Sequence, residues 1–141
     1  HLMSEVKGGA LRYTQCTPRT SYGSRQVLIL DTVGILASVY GYATWSYIGG
    51  GFGVGIHNTL EAATFGLPIA FGPNYGKFKE ARDMVSLGCA VSVRTAGELA
   101  AWFAPLRDDE ETLRRASRTA KDYTARNQGA TGIILRSIFN S

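Results

Sequence analysis

The residues best suited to chemistry lie in one run, Ile48-Gly49-Gly50-Gly51-Phe52-Gly53-Val54-Gly55-Ile56-His57-Asn58-Thr59-Leu60-Glu61. Strand-type residues end at Gly49, the first of five glycines within seven positions, and a helical pattern starts near Asn58. Glycine is needed where the backbone takes a positive φ or must approach another group with no side chain between. A helix N-terminus beside such a loop offers free N–H groups and a partial positive charge to an anion. Gly50, Gly51, Gly53 and Asn58 are therefore candidates for gripping an anionic ligand. The run is not a P-loop, because no Gly-Lys-Ser/Thr follows, and it misses the G-x-G-x-x-G spacing of dinucleotide-binding folds. A tight strand-to-helix turn explains the glycines without a ligand. Their place at the carboxyl end of a parallel-type strand, where such sheets bind ligands, favours an anion or sugar site.

Two readings of Asn58 and Glu61 stand side by side. Asn followed three residues later by Glu is the spacing of a capping box and needs no ligand. The same Glu61, pointed into a cleft, would accept hydrogen bonds from the two hydroxyls of a ribose. His57, read alone, fits a structural role at the loop's edge as well as a ligand contact. A second candidate loop, Phe71-Gly72-Pro73-Asn74-Tyr75-Gly76-Lys77-Phe78-Lys79-Glu80, again joins a strand to a helix. Pro73 and Asn74 are its turn residues, and Lys77 and Lys79 could reach a phosphate or carboxylate. A third, Asp31-Thr32-Val33-Gly34, turns a strand into the helix that Ile35 opens. All three are expected to face one crevice.

These loops need a scaffold, and the pattern of the chain supplies one. Strands are expected at residues 10–14, 27–31, 45–49, 68–71 and 90–93, with helical segments at 35–43, 58–65 and 78–87. The strands read as continuous apolar runs such as Val27-Leu28-Ile29-Leu30, the mark of a parallel sheet buried on both faces. Alternation of such strands with helices predicts a three-layer α/β, Rossmann-like domain with right-handed crossovers. Thr95-Ala96-Gly97-Glu98 reads as a capping box opening a helix over 96–103, which Pro105 helps to end. A long helix then starts at Asp108 or Asp109 and runs to about Arg126, with Glu110–Arg114 and Glu111–Arg115 at i,i+4. Gly129 is expected to separate it from a last apolar helix over 133–139. The polar stretch 16–26 reads as a loop.

With 141 residues the chain is long enough for one domain with a real core. Apolar residues make up 45 %, spread among polar ones, which argues for a folded protein, and no stretch nears the roughly 18 apolar residues of a membrane span. Cys16 and Cys89 are the only cysteines and lack zinc-site spacing. The net charge of +4 suits an anionic ligand or membrane surface and is too small to argue for nucleic acid. The basic run Arg107, Arg114, Arg115, Arg118, Lys121 is interleaved with acids and reads as a solvated helix face. His1-Leu2-Met3 looks like a tag remnant, with the domain proper expected over residues 4–141 and cut from something longer.

Taken together, these blocks resemble the carboxyl-terminal domain of the lipid A Kdo (3-deoxy-D-manno-octulosonic acid) transferases, inverting glycosyltransferases of the GT-B architecture. The resemblance runs from about Val27 to Ala130. It rests on Asp31-Thr32-Val33-Gly34, Tyr47-Ile48-Gly49-Gly50-Gly51, His57-Asn58-Thr59-Leu60-Glu61-Ala62-Ala63 and Phe71-Gly72-Pro73 with Phe78-Lys79-Glu80, in that order. Gly129-Ala130-Thr131 fits as well. The chain departs from the family's pattern at Ile35, where Glu is usual, at Thr59, where Pro is usual, and at Asn74 and Lys77, where Gly-Pro-His and a later Asn-Phe are common.

The resemblance implies CMP-Kdo as donor, a lipid A precursor as acceptor, and neither metal nor cofactor. It implies donor contacts from Gly34, Ile35, Gly50, Gly51, Gly53, His57, Asn58, Glu61, Pro73, Asn74, Lys77 and Lys79. The family's catalytic base lies in an amino-terminal acceptor domain, so this chain is expected to bind and not to catalyse, possessing no catalytic residue of its own. Its first strand is expected to be missing. The location implied is the cytoplasmic face of the bacterial inner membrane, reached through the amino-terminal part. The residues themselves also fit a donor domain for a UDP-sugar transferase or epimerase, or a non-catalytic α/β module that binds a small anion.

Overall fold

A computed structural model describes residue 7, residues 9–21 and residues 23–139, the last stretch, 129–139, as backbone only. The tag remnant expected at residues 1–3 lies outside the described residues. The chain divides into two compact units, one over His1–Val39 and one over Tyr40–Ser141.

In the first unit, β1 (Ala10–Arg12) runs parallel to β2 (Val27–Ile29), with Ala10 opposite Val27 and Arg12 opposite Ile29. A single 3-10 turn, Tyr13–Gln15, follows β1 where the sequence reads as continued strand. Its end is tied to the loop after β2, because Asp31 accepts from the N–H and the hydroxyl of Thr14, at 3.0 and 2.7 Å. Those two bonds favour the charged carboxylate and hold the Asp31 pKa below its ordinary value. Helix α1 (Leu36–Tyr40) begins after Gly34, whose φ of 89° only glycine adopts readily.

In the second unit, β3 (Ser46–Ile48), β4 (Ile69–Phe71) and β5 (Ala90–Ser92) form a parallel sheet in that order. Helix α2 (Leu60–Thr64) joins the first pair and α3 (Lys79–Leu87) the second. The α/β class and the parallel pairing match the sequence pattern. Hydrogen bonding nonetheless divides the described strands into two sheets, where the apolar runs read as one. The run Val27-Leu28-Ile29, read as buried on both faces, has Val27 and Leu28 exposed in β2, because an apolar run does not say which strands or helices cover it.

Strand β4 is central and its three residues are fully buried. Alternation puts Ile69 and Phe71 on one face, and both belong to a buried apolar cluster with Ala62 and Ala63 of α2, Ala81 and Met84 of α3, and Ala120 and Tyr123 of the last helix. Small alanines on these helices let them approach the sheet closely. Between α3 and β5 the chain turns on Gly88, in the left-handed region at φ 89°, with its N–H bonded to Met84 O, a glycine helix stop.

Helix α4 (Ala96–Asp108) opens on the expected capping box. Thr95 Oγ1 accepts from Glu98 N at 3.1 Å, and the Glu98 carboxylate returns to Arg94 N at 2.6 Å, one residue further back than the usual partner. The helix does not stop before Pro105 but runs through it. An interior proline removes one backbone bond and costs about 3 kcal/mol in a free helix. Here the turn beyond it buries Leu106, places the Arg107 guanidinium over the Phe103 ring, and lets Asp109 N bond to Pro105 O at 2.9 Å.

Helix α5 (Glu110–Phe139) is continuous through Gly129, contrary to the two helices expected. One glycine costs a helix about 1 kcal/mol, less than is needed to break one this long. At its start Arg114 takes both acids, Glu110 at 3.3 Å and Glu111 at 3.2 Å, so the expected Glu111–Arg115 pair is replaced by an i,i+3 one. All these groups are exposed, and such pairs contribute little.

Candidate functional site

Because β3 and β4 are parallel neighbours, the loops that leave their carboxyl ends lie side by side. The first spans residues 49–59, the second 72–78. Their backbones touch. A Cβ added to Gly51 would fall 2.5 Å from Gly72 N, and one added to Gly72 would fall 2.6 Å from Gly51 C. Neither position leaves room for a side chain, so these glycines serve the contact between loops.

Within the first loop, Gly50 has a φ of 91°, and its carbonyl accepts from both Gly53 N (3.0 Å) and Gly55 N (3.2 Å). A Cβ on Gly50 would strike Gly55 O. Gly55, at φ 149°, sits against the Phe78 ring. Gly53 is different: a Cβ there would meet only Gly50 O, at 3.8 Å, an ordinary contact, and its backbone is not left-handed. Most of the glycines are thus needed for the shape of the loop itself. The shape leaves the N–H groups of Gly51, Phe52 and Val54 without an acceptor among the described residues. The tip is exposed, with Phe52 at 64 % and Val54 at 98 % of full accessibility.

Asn74 ties the loops together. Its N–H donates to Gly51 O at 2.8 Å and its side-chain Nδ2 to Gly53 O at 2.6 Å. Pro73, half-buried before it, accepts from Tyr75 N at 3.1 Å and closes the turn. His57 is exposed; its N–H bonds to Gly49 O at 3.1 Å and its ring edge lies over Gly49 and Gly50.

The capping box expected at Asn58 is not formed among the described residues: the residue before α2 is Thr59, without a side-chain cap, and Asn58 takes the N–H two residues on rather than that of Glu61. Asn58 Oδ1 accepts from Leu60 N at 3.0 Å. No return bond from Glu61 to Asn58 N is present among the described residues, and the half-buried Glu61 carboxylate has no hydrogen-bond donor there. Its charge is felt by Tyr40, whose hydroxyl is pushed above its ordinary pKa first by burial and then by Glu61. Helix α2 is only five residues long, so its dipole is small and the loop N–H groups are the stronger anion donors here. A hollow of about 310 Å³ opens beside these residues, lined by Ile56, His57, Asn58, Thr59, Leu60, Phe78 and Glu80.

The other expected site residues belong to the first unit, have no partner among the described residues, or are engaged. Gly34 and Ile35 belong to the first unit. Lys77 is exposed with no partner among the described residues. Lys79 opens α3 and pairs with Asp83 at 2.6 Å, which raises the Lys79 pKa. Asp83 also accepts from Tyr123 OH at 2.8 Å, and these two bonds hold its carboxyl below its ordinary pKa. Lys79 is thus paired within its own helix. Sequence reasoning did not select Gly72 and Glu80 as site residues. Their part depends on β3 lying beside β4, for which no local signal exists. A larger hollow of about 440 Å³, lined by Pro68, Gly88, Trp102, Leu106 and Arg115 among others, opens at the opposite, amino ends of β4 and β5.

No family model matches the chain. Among curated proteins it is 31 % identical over 103 residues to the 3-deoxy-D-manno-octulosonic acid transferase of Rickettsia bellii, a match over 71 % of this chain and 25 % of that protein. The enzyme of the same name from Rickettsia typhi is 35 % identical over 77 residues, covering 54 % of this chain and 17 % of the relative. That from Aquifex aeolicus is 31 % identical over 75 residues, covering 52 % and 21 %. The matches therefore take in a quarter or less of these relatives' own length. Among solved structures, the C-terminal CMP-Kdo binding domain of WaaA from Acinetobacter baumannii superposes with a TM-score of 0.66 at 24 % identity, over 81 % of this chain and 60 % of that one. By sequence, then, the chain is similar to a part of the 3-deoxy-D-manno-octulosonic acid transferases, and its fold is similar to that of the C-terminal CMP-Kdo binding domain of WaaA.

Proposed function

We propose that this chain is the donor-binding domain of a glycosyltransferase that moves Kdo from CMP-Kdo to a lipid A precursor. The observation that carries the reading is the pair of loops at the carboxyl ends of β3 and β4. Among the described residues they present unpaired N–H groups at Gly51, Phe52 and Val54, and the Glu61 carboxylate, on the helix that follows the first loop, is not engaged. The matched relatives are Kdo transferases, and the similar solved structure is a CMP-Kdo binding domain, which supports the same ligand.

In this reading the loop N–H groups bind the donor phosphate and stabilise the charge that develops on it as CMP departs, the role of preorganised backbone donors elsewhere. Glu61 accepts from the two ribose hydroxyls. Lys77, exposed on the second loop, adds positive charge near the anionic donor. Transfer is inverting and metal-independent, and the base that activates the acceptor comes from a segment outside this chain. The whole enzyme then works at the cytoplasmic face of the inner membrane. Among the described residues no helix is long and apolar enough to cross a membrane.

Calorimetric titration of the chain with CMP and with UMP tests the reading. CMP is expected to bind and UMP to bind at least tenfold more weakly. The chain incubated with CMP-Kdo and a lipid A precursor is expected to transfer nothing. No CMP binding, or equal affinity for UMP, would sink the donor assignment; Kdo transfer by the chain alone would sink the assignment of the base to another segment.

A further inference from the structure

We infer that Asn74 is a positioning residue, which sets the direction of two loop N–H groups toward the donor phosphate; the inference rests on the donor-binding reading above. A loop with five glycines in seven residues has a large conformational freedom to lose. Its root is fixed internally, since the Gly50 carbonyl takes the N–H groups of Gly53 and Gly55. Its tip is held from outside. Asn74 captures two carbonyls there, Gly51 O through its backbone N–H at 2.8 Å and Gly53 O through Nδ2 at 2.6 Å.

The consequence follows from the peptide bond. In a trans peptide the carbonyl and the next residue's N–H point in opposite directions from one plane, and the chain contains no cis bond among the described residues. Turning Gly51 O toward Asn74 turns the N–H of Phe52 away from it, and turning Gly53 O toward Asn74 does the same for the N–H of Val54. These are two of the N–H groups with no acceptor among the described residues. Asn74 therefore aims two free donors outward without touching the ligand. Gly72 makes the arrangement feasible, because a Cβ there would collide with Gly51 and the Phe52 ring and push the loops apart.

The experiment compares the whole chain with Asn74→Ala, which removes the side-chain bond to Gly53, and with Asn74→His, which keeps an N–H donor. Three measurements are made on each: exchange of the Gly53 and Gly55 amides by NMR, affinity for CMP and for cytidine, and the melting temperature. In Asn74→Ala the two amides are expected to exchange about tenfold faster, since one bond of the usual strength is lost. CMP affinity is expected to fall about tenfold while cytidine affinity stays within about twofold, because only the phosphate contact depends on the loop's aim. Asn74→His should restore most of both. Equal losses for CMP and cytidine, unchanged exchange in Asn74→Ala, or faster exchange with unchanged CMP affinity would each overturn the inference. Absence of CMP binding by the unsubstituted chain would instead overturn the donor-binding reading, and the exchange measurement would still decide whether Asn74 holds the loop.

Discussion

Gly51 and Gly72 stand backbone against backbone, so close that a methyl group on Gly51 would lie 2.5 Å from the Gly72 nitrogen. Two loops that start from neighbouring strands are thereby fused into one surface, and each can be shaped by the other. Gly51→Ala is expected to destabilise the chain by about 1–3 kcal/mol, the usual cost of overpacking. Gly53→Ala, two residues away, where a Cβ would make only an ordinary 3.8 Å contact with Gly50 O, should lie within about 0.5 kcal/mol of the unsubstituted chain. Urea unfolding midpoints of the two variants check this. Equal effects would mean that the loops are not in contact.

Glu61→Gln separates the two roles that the sequence left open. The return bond of the capping box is absent among the described residues and α2 is short, so the melting temperature should barely move. A ribose diol donates two bonds to a carboxylate but finds one oxygen acceptor on an amide. Bonds to charged groups contribute about 1.5–3 kcal/mol, so CMP affinity is expected to fall tenfold or more. Titration with CMP beside thermal melts gives both numbers. Unchanged affinity with a clearly lowered melting temperature would leave Glu61 a structural residue.

Acid stability should report on the cluster that joins α3 to α5. Asp83 is held below its ordinary pKa of 3.8 by its bonds from Lys79 and then from Tyr123. A lowered folded-state pKa means that stabilisation is present above the unfolded value and is lost as pH falls through the folded one. The unfolding midpoint is expected to drop below about pH 4 more steeply in the unsubstituted chain than in Asp83→Asn. Tyr123→Phe, which removes one donor, should show an intermediate slope. Parallel acid limbs in all three proteins would contradict the assignment.

The two thiols should differ in reactivity. Cys89 is buried between α3 and β5, and burial pushes its thiol up to about 11. Only about one molecule in a thousand then carries the reactive thiolate at pH 8. Cys16 is partly exposed. Under native conditions a maleimide at pH 8 should label Cys16 at least tenfold faster, as read by mass spectrometry of peptides. Comparable rates would show that the core around Cys89 opens readily.

The sequence by itself determined the elements and their local ends. Continuous apolar runs placed β2, β3, β4 and β5, helical spacing placed α3, and Thr95 with Glu98 marked the start of α4, because each signal lies within one turn or one strand. The glycine run after β3 likewise announced a special backbone. What only the tertiary structure decided is what those glycines face. Gly51 meets Gly72, Gly55 meets Phe78, and Asn74 grips Gly53 across 21 residues of chain and Gly51 beside it. Lys79 turned to Asp83, and the turn beyond Pro105 was kept by the burial of Leu106. The reason is common to all of these. Propensity and spacing act over a few residues, whereas strand order brings distant loops together, and the contacts it creates have no counterpart in any single stretch of sequence.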